Sequence, residues 1–291
     1  MTNFNINNVT PKRSVALLFL VFTAILWSAG GLLIKLVSLN PIAIAGFRSI
    51  IAALLILCFI KKPDIKFTPI KLAAAFMYAA TVISFVCATK MTTAANAIII
   101  QYTAPIYVVI FGALFFKEKV KWYDIITIIV ILGGMILFFL DKLSPGGLMG
   151  NLIAAFSGIT FAFTALLLRF QKDDSPLDRI FWGNVLTAII SIPFMFQTLP
   201  NTKSLIGLCL LGVFQLGFSY ILFSLAIKNV SALEAVLIPM IEPILNPIWV
   251  AIFLNEIPGI YSIIGGLVVV SIIVLRCVYI YSLSKNNVNG Q

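Results

Sequence analysis

An acid in the middle of an apolar run is the residue of this sequence best placed to do chemistry. Glu242 lies about midway along the run from Ser231 to Leu254, beside Pro243 and between Pro239 and Pro247, so prolines recur at every fourth residue. A charge at the centre of a bilayer costs at least about 2.5 kcal/mol, which makes such a residue a functional candidate. The prolines remove backbone donors and kink a helix, freeing carbonyls that can face a cavity. Asn246 and Trp249 stand four and seven residues after Glu242 and share its helix face. The carboxylate reads either as a partner for a substrate ammonium or a coupled proton, or as a structural acid hydrogen-bonded to a neighbouring helix. Arg48 is the complementary charge, inside the second apolar run. Its guanidinium could receive a carboxylate or phosphate bidentately, or snorkel to the headgroups.

Aromatic residues with a polar edge supply further wall candidates: Trp27, Tyr78, Tyr102, Trp182 and Tyr220. Such rings hold cations or line an amphipathic pocket, and equally they pack helices or form an interfacial belt. Gln101, Gln215 and Ser219 add uncharged hydrogen-bonding capacity near the same depth. Lys35 and Lys90 read as interface anchors. Ser231 and Glu234 fit a capping box that opens a helix, which satisfies orphan amides and needs no substrate. Glu118 and Glu256 end their runs in matching places and read as gate-closing or helix-end partners. Asp173, Asp174 and Asp178, beside Arg169, Lys172 and Arg179, read as solvated ion pairs in a loop.

The elements that must position these residues follow from composition. The chain has 291 residues, 61% hydrophobic and 10% charged, with a mean hydropathy of +1.10, whereas a soluble domain carries about 25% charged residues. Lipid is therefore the solvent. Each crossing of a core about 30 Å thick takes roughly 20 apolar residues. Ten runs qualify: Ser14 to Leu39, Pro41 to Ile60, Ile70 to Thr89, Ala94 to Phe116, Tyr123 to Leu140, Gly150 to Phe170, Ile180 to Phe196, Leu205 to Ile227, Ser231 to Leu254 and Ile260 to Tyr281. The first is too long for a signal peptide and lacks its cleavage site. Counting basic residues by loop puts fifteen on the side of both termini and four on the other, so both termini are expected in the cytoplasm, with the chain multi-pass in the cell membrane.

Whole chemistries drop out. The sequence has no histidine, which removes histidine-based triads, HExxH zinc sites and histidine-ligated haem. It has no phosphate loop of the GxxxxGK[ST] type. Cys58, Cys87, Cys209 and Cys277 are isolated in apolar segments and form neither a metal site nor a disulfide framework. The net charge of +10 sits in short loops without interleaved aromatics, so nucleic acid is not expected as a partner. No cofactor is expected, and no enzymatic activity. An integral membrane enzyme acting on lipid, the remote alternative, would need clustered acids or nucleophiles at one interface.

Sliding the sequence by 138 places Leu72 to Val120 over Leu210 to Pro258 without a gap, with 15 identical pairs in 49. Among the pairs are Lys90 with Lys228, Pro105 with Pro243 and Glu118 with Glu256. A unit of five spans, an odd number, enters the membrane inverted in its second copy, the construction of many secondary transporters. The expected fold is therefore all-α and integral to the membrane, ten transmembrane helices in two inverted five-helix repeats, residues 1–140 and 141–291.

The segment from Ala94 through Gln101, Tyr102, Thr103, Ala104 and Pro105 to Lys117, Glu118 and Lys119, with its echo at Ile241, Glu242, Pro243, Asn255 and Glu256, resembles the paired signatures of the EamA family in the drug/metabolite transporter superfamily. Trp27 and Arg48 also resemble family positions, and the likeness covers nearly the whole chain. It implies ten helices in two inverted units, cytoplasmic termini, a central cavity and secondary transport of small metabolites, often export of amino acids. The sequence is thus expected to encode a transporter of a small amphipathic metabolite, an amino acid moving outward by alternating access, proton-coupled or facilitated, as a monomer or homodimer. In that reading Glu242 meets positive charge, Arg48 negative charge and the rings the apolar body. An organic cation such as a quaternary amine is the alternative substrate.

Overall fold

The computed structural model describes residues 11–92, 94–117, 119–139, 147–170, 175–245 and 260–289, and every regular element in them is helical. The first repeat contains α1 (Arg13–Ser28), α2 (Gly30–Leu36), α3 (Pro41–Ile60), α4 (Pro69–Met91), α5 (Ala94–Gln101), α6 (Ala104–Phe116) and α7 (Trp122–Phe139). The second contains α8 (Leu148–Phe170), α9 (Pro176–Met195), α10 (Thr202–Leu210), a π-helical stretch Leu211–Phe218, α11 (Ser219–Ala226), α12 (Ala232–Leu237), a 3-10 turn Ile238–Ile241 and α13 (Ile260–Asn289). Six of the resulting spans are long and apolar enough to cross a bilayer, and α6 and α7 are shorter apolar helices.

The polarity of the packing is that of a protein in lipid. Leu18, Phe22, Leu54, Ile129 and Leu267 are exposed on the outer faces, while Thr23, Ser49, Thr81, Thr160, Thr164, Asn184, Thr187 and Ser191 are buried between helices. Hydroxyls bond back to the preceding turn or across to the next helix, as Thr81 Oγ1 does to Met77 O at 2.8 Å and to Thr160 Oγ1 at 3.0 Å. Small residues let the helices close in: a Cβ on Gly183 would meet the Tyr78 ring, and one on Gly212 would meet Ile51.

Helix pairing follows the repeat. α4 packs on α8, and its counterpart under the 138-residue offset, the π stretch with α11, packs on α1. α3 packs on α9 and α7 on α13, each pair mapping onto itself when the halves exchange. The two-repeat, all-helical membrane architecture read from the sequence is the one observed.

Several apolar runs expected to be single helices are interrupted. The first run turns at Ala29, before the weak helix formers Gly30 and Gly31. The fourth breaks at Tyr102 and Thr103, ahead of Pro105, which has no N–H to offer the preceding turn. The ninth passes into the 3-10 turn at Ile238–Ile241, which carries Pro239 and precedes Pro243. These last two breaks fall at positions related by the repeat offset. The π stretch in the eighth run has no counterpart in α4, which is continuous.

The ends of the helices carry the remaining charges. Ser231 and Glu234 form the expected capping box, with Ser231 Oγ accepting from Glu234 N at 3.1 Å and Glu234 Oε2 from Ser231 N at 2.9 Å. Glu234 does more than cap, since its Oε1 lies 2.5 Å from Arg13 Nη2 and 3.7 Å from Arg276 Nη1. Arg276 in turn donates to Asp124 Oδ1 from Nη2 at 2.8 Å and from Nε at 3.2 Å. Four elements, α1, α7, α12 and α13, are thereby tied at one end of the molecule. At the other end Lys35 Nζ donates to Thr92 O at 2.8 Å and Lys90 Nζ to Val37 O at 2.7 Å, so both lysines close off backbone carbonyls at helix ends. Asp178, expected to be solvated in a loop, is buried and accepts from Asp64 N at 3.2 Å, because α9 begins at Pro176, about one turn before the apolar run that starts at Ile180, and takes Asp178 into the helix. Asp173, Asp174 and Lys172 lie outside the described residues.

Candidate functional site

The side chains that leave the helix breaks and the π stretch meet in a cavity at mid-molecule. Arg48 and Glu242 both line it, with Trp27, Tyr102, Gln215 and Tyr220. Its free space, counted as room for the centres of water-sized groups, is about 40 Å³, enough for roughly three waters.

Arg48 projects from α3 and is 1% exposed. Its Nη1 donates to Gln215 Oε1 at 3.1 Å and its Nη2 to the Val82 carbonyl at 3.2 Å. Its Nε has no partner, and no carboxylate pairs with the guanidinium among the described residues. Buried guanidinium groups are ordinarily matched by carboxylates, since an uncompensated buried charge is strongly unfavourable. Close approach of Gly212 to α3, with an added Cβ 2.9 Å from the Arg48 carbonyl, brings the π stretch near enough for Gln215 to reach the guanidinium.

Glu242 is also buried, on the first residue after the 3-10 turn. The Tyr102 hydroxyl donates to its Oε2 at 2.5 Å, and the same hydroxyl oxygen lies 2.9 Å from the Pro239 carbonyl oxygen. Both residues of this contact sit at the two backbone breaks that the repeat relates. Among the described residues Glu242 has no ion-pair partner, so the cavity holds a guanidinium and a carboxyl group that form no ion pair with each other.

Trp27 closes one wall. Its ring lies 5.2 Å from Tyr220 and 5.8 Å from Phe161, and its Nε1 donates to Ser219 Oγ at 2.8 Å. Ser219 Oγ donates to Gln215 O at 2.5 Å, a carbonyl of the π stretch. Gln101 lines the cavity from the end of α5 and donates from Nε2 to Ser157 Oγ at 2.9 Å. Tyr78 stands one layer behind: its ring packs edge-on to Tyr220 at 4.9 Å, and its hydroxyl accepts from Asn184 Nδ2 at 2.9 Å. Trp182 is elsewhere. It donates from Nε1 to Asp64 O at 3.0 Å and packs on Phe67 at 4.8 Å, joining α9 to the loop between α3 and α4. Asn246, Glu118 and Glu256 lie outside the described residues. Thr81, Phe85 and Phe161 line the cavity without having been singled out in the sequence, where nothing distinguishes one apolar or hydroxyl residue of a span from its neighbours.

Residues 14–140 and 148–277 both match the model of the EamA-like transporter family, one match on each half of the chain. The chain belongs to the EamA-like transporter family. Among its relatives are the uncharacterized transporter YdfC of Bacillus subtilis, 26% identical over 84% of this chain and 85% of the relative, and the pseudopaline exporter CntI of Pseudomonas aeruginosa, 26% identical over 77% of this chain and 81% of the relative. A solved crystal structure superposes with a TM-score of 0.76 at 17% identity, covering 90% of this chain and 96% of the other, so the fold is shared. This EamA-family chain is accordingly a multi-pass membrane transporter of small molecules, and transport rather than bond chemistry is its class of function.

Proposed function

We propose that the chain exports a small amphipathic zwitterion, an amino acid first among candidates, by alternating access. The single observation that carries this reading is the burial of Arg48 and Glu242 in one cavity without an ion pair between them. A zwitterion supplies the two missing partners: its carboxylate meets the guanidinium through charge-assisted hydrogen bonds, and its ammonium meets Glu242. Trp27 and Tyr220 accept its apolar body. In this reading residues 1–140 and 141–291 are the two units that rock about the cavity, with both termini in the cytoplasm and the chain in the cell membrane. The relative named as a pseudopaline exporter agrees with outward movement. The convergence of Trp27, Phe161 and Tyr220 favours a second substrate class, a quaternary amine held by ring faces and Glu242.

A thermal-shift panel on the purified full chain separates the two, because a ligand that binds the folded state raises its melting temperature. Amino acids, quaternary amines, nucleosides and sugar phosphates form the panel. Stabilisation by amino acids that disappears in both Arg48→Ala and Glu242→Gln supports the zwitterion. Stabilisation by quaternary amines alone, retained in Arg48→Ala, supports the cation and rejects the zwitterion.

A further inference from the structure

The Tyr102 hydroxyl stands between two acceptors and has one hydrogen. Its oxygen is 2.5 Å from Glu242 Oε2 and 2.9 Å from the Pro239 carbonyl oxygen. While Glu242 is a carboxylate, the phenol hydrogen goes to it, the stronger of the two bonds because the acceptor is charged. When Glu242 is a carboxylic acid it becomes the donor: its own O–H points to the phenol oxygen, and the phenol hydrogen turns to Pro239 O. The Pro239 carbonyl keeps its bond from the Glu242 backbone N–H throughout, and a carbonyl has two lone pairs. No polar group in the set is stranded in either state, which is the condition for a buried carboxyl to change charge without breaking its surroundings.

Among the described residues no ion pair fixes the charge of Glu242. Among the described residues, the titratable and charged groups facing it in the cavity are Tyr102 from the α5–α6 break, Tyr220 from α11 and Arg48 from α3, while α1 and α8 present Trp27 and Phe161, which carry no ionisable group. None of the three makes an ion pair with it among the described residues.

We propose that Tyr102 is the positioning residue for a proton that alternates with substrate at Glu242. A proton from cavity water binds the carboxylate as the substrate ammonium leaves, and returns to water when the next ammonium arrives, so that one positive charge occupies the site in each half of the cycle. The hydroxyl turns between Glu242 and Pro239 at each exchange. Because Tyr102 and Pro239 sit on the two broken helices that the repeat relates, the exchange takes place on the contact between the two halves. This rests on the reading of Glu242 as the ammonium site, and its test does not need the substrate.

The experiment is an infrared pH titration of the full chain reconstituted in lipid vesicles, comparing wild type with Glu242→Gln, Tyr102→Phe and Tyr220→Phe. The wild type should show a protonated-carboxyl band that grows on acidification and is missing in Glu242→Gln. In Tyr102→Phe its midpoint should be displaced by about tenfold in proton activity, one pH unit, and in Tyr220→Phe it should stay in place. In the wild type the ring vibration of a tyrosine should shift at the same midpoint, a readout that survives if Tyr102→Phe does not fold. A wild type without a titrating Glu242 band, an unmoved midpoint in Tyr102→Phe, or a carboxyl band that titrates with no tyrosine signal would each overturn the proposal. A titrating pair in a protein that no amino acid stabilises would leave the relay standing and reject the zwitterion.

Discussion

Arg48 and Glu242 were legible in the sequence because charge inside an apolar run is rare and costly, and the cavity holds both. The rings were less so. Tyr102 and Trp182 look alike in the sequence, each an aromatic near a run of aliphatic residues, yet one bonds Glu242 and the other bonds the loop at Asp64. What separates them is the depth and rotation of each helix, set by packing partners far along the chain. The hydrogen bond from Arg48 to Gln215 spans 167 residues and could not be read from either segment alone. Replacing Arg48 by Ala should weaken binding of a carboxylate-bearing ligand by roughly tenfold to a hundredfold, the loss of one charge-assisted hydrogen bond or two, measured as a dissociation constant by calorimetry. Asp64 gives a residue-level test outside the spans. Its carboxyl accepts from the Lys66 backbone N–H and the Lys71 ammonium, and both hold it below the usual carboxylate range. A carboxyl depressed in the folded state contributes stability above its unfolded pKa and loses it as pH falls through the folded value. Asp64→Asn should therefore lower the melting temperature at neutral pH, and the difference from wild type should close on acidification below pH about 4. Melting curves at several pH values decide it, and a gap that widens in acid would contradict the assignment.

At the scale of elements, the ten apolar runs were readable from hydropathy and length, and their interruptions only in part. Prolines announced the turn at Ile238–Ile241 and the start of α6, since a missing N–H is a local property. The π stretch was not announced. It inserts an extra residue per turn where Gly212 and Gly217 press against Ile51 and Leu55 of α3, a fit decided between helices and not within one. Gly212→Val should cost about 1 to 3 kcal/mol through overpacking and should also weaken ligand binding, because it pushes Gln215 away from Arg48. Gly133, which faces open space, serves as the control, and Gly133→Ala should leave both thermal stability and binding close to wild type. Equal losses in the two variants would show that the contact with α3 is not what matters.

For the whole molecule, the duplication was visible as paired Lys, Pro and Glu at one offset, and helix pairing repeats under the same offset. The ends of the molecule are not equivalent. One is tied by the network of Arg13, Glu234, Arg276 and Asp124, the other by two lysines on backbone carbonyls. The residues at the 138-residue offset from Glu234 and Asp124 are Asn96 and Ser262, which carry no charge, so the network belongs to one end alone. The cap at Glu234 is legible because a capping box is local, and its ion pairs are not, because Arg13 and Arg276 come from opposite ends of the chain. Removing Asp124 leaves Arg276 buried with a distant, weaker partner, and Asp124→Ala should lower stability by roughly 3 kcal/mol, read as a fall in melting temperature of the purified protein. An unchanged melting temperature would show that the network contributes nothing to holding those four helices together.

Under the proposed function a zwitterion bridges Arg48 and Glu242 across the cavity. Calorimetric titration of the amino acid that most stabilises the protein, into wild type, Arg48→Ala, Glu242→Gln and the double variant, tests it most directly. Each single variant should lose most of the affinity and the double variant little more, since one ligand joins both charges. Full affinity in either single variant would contradict it.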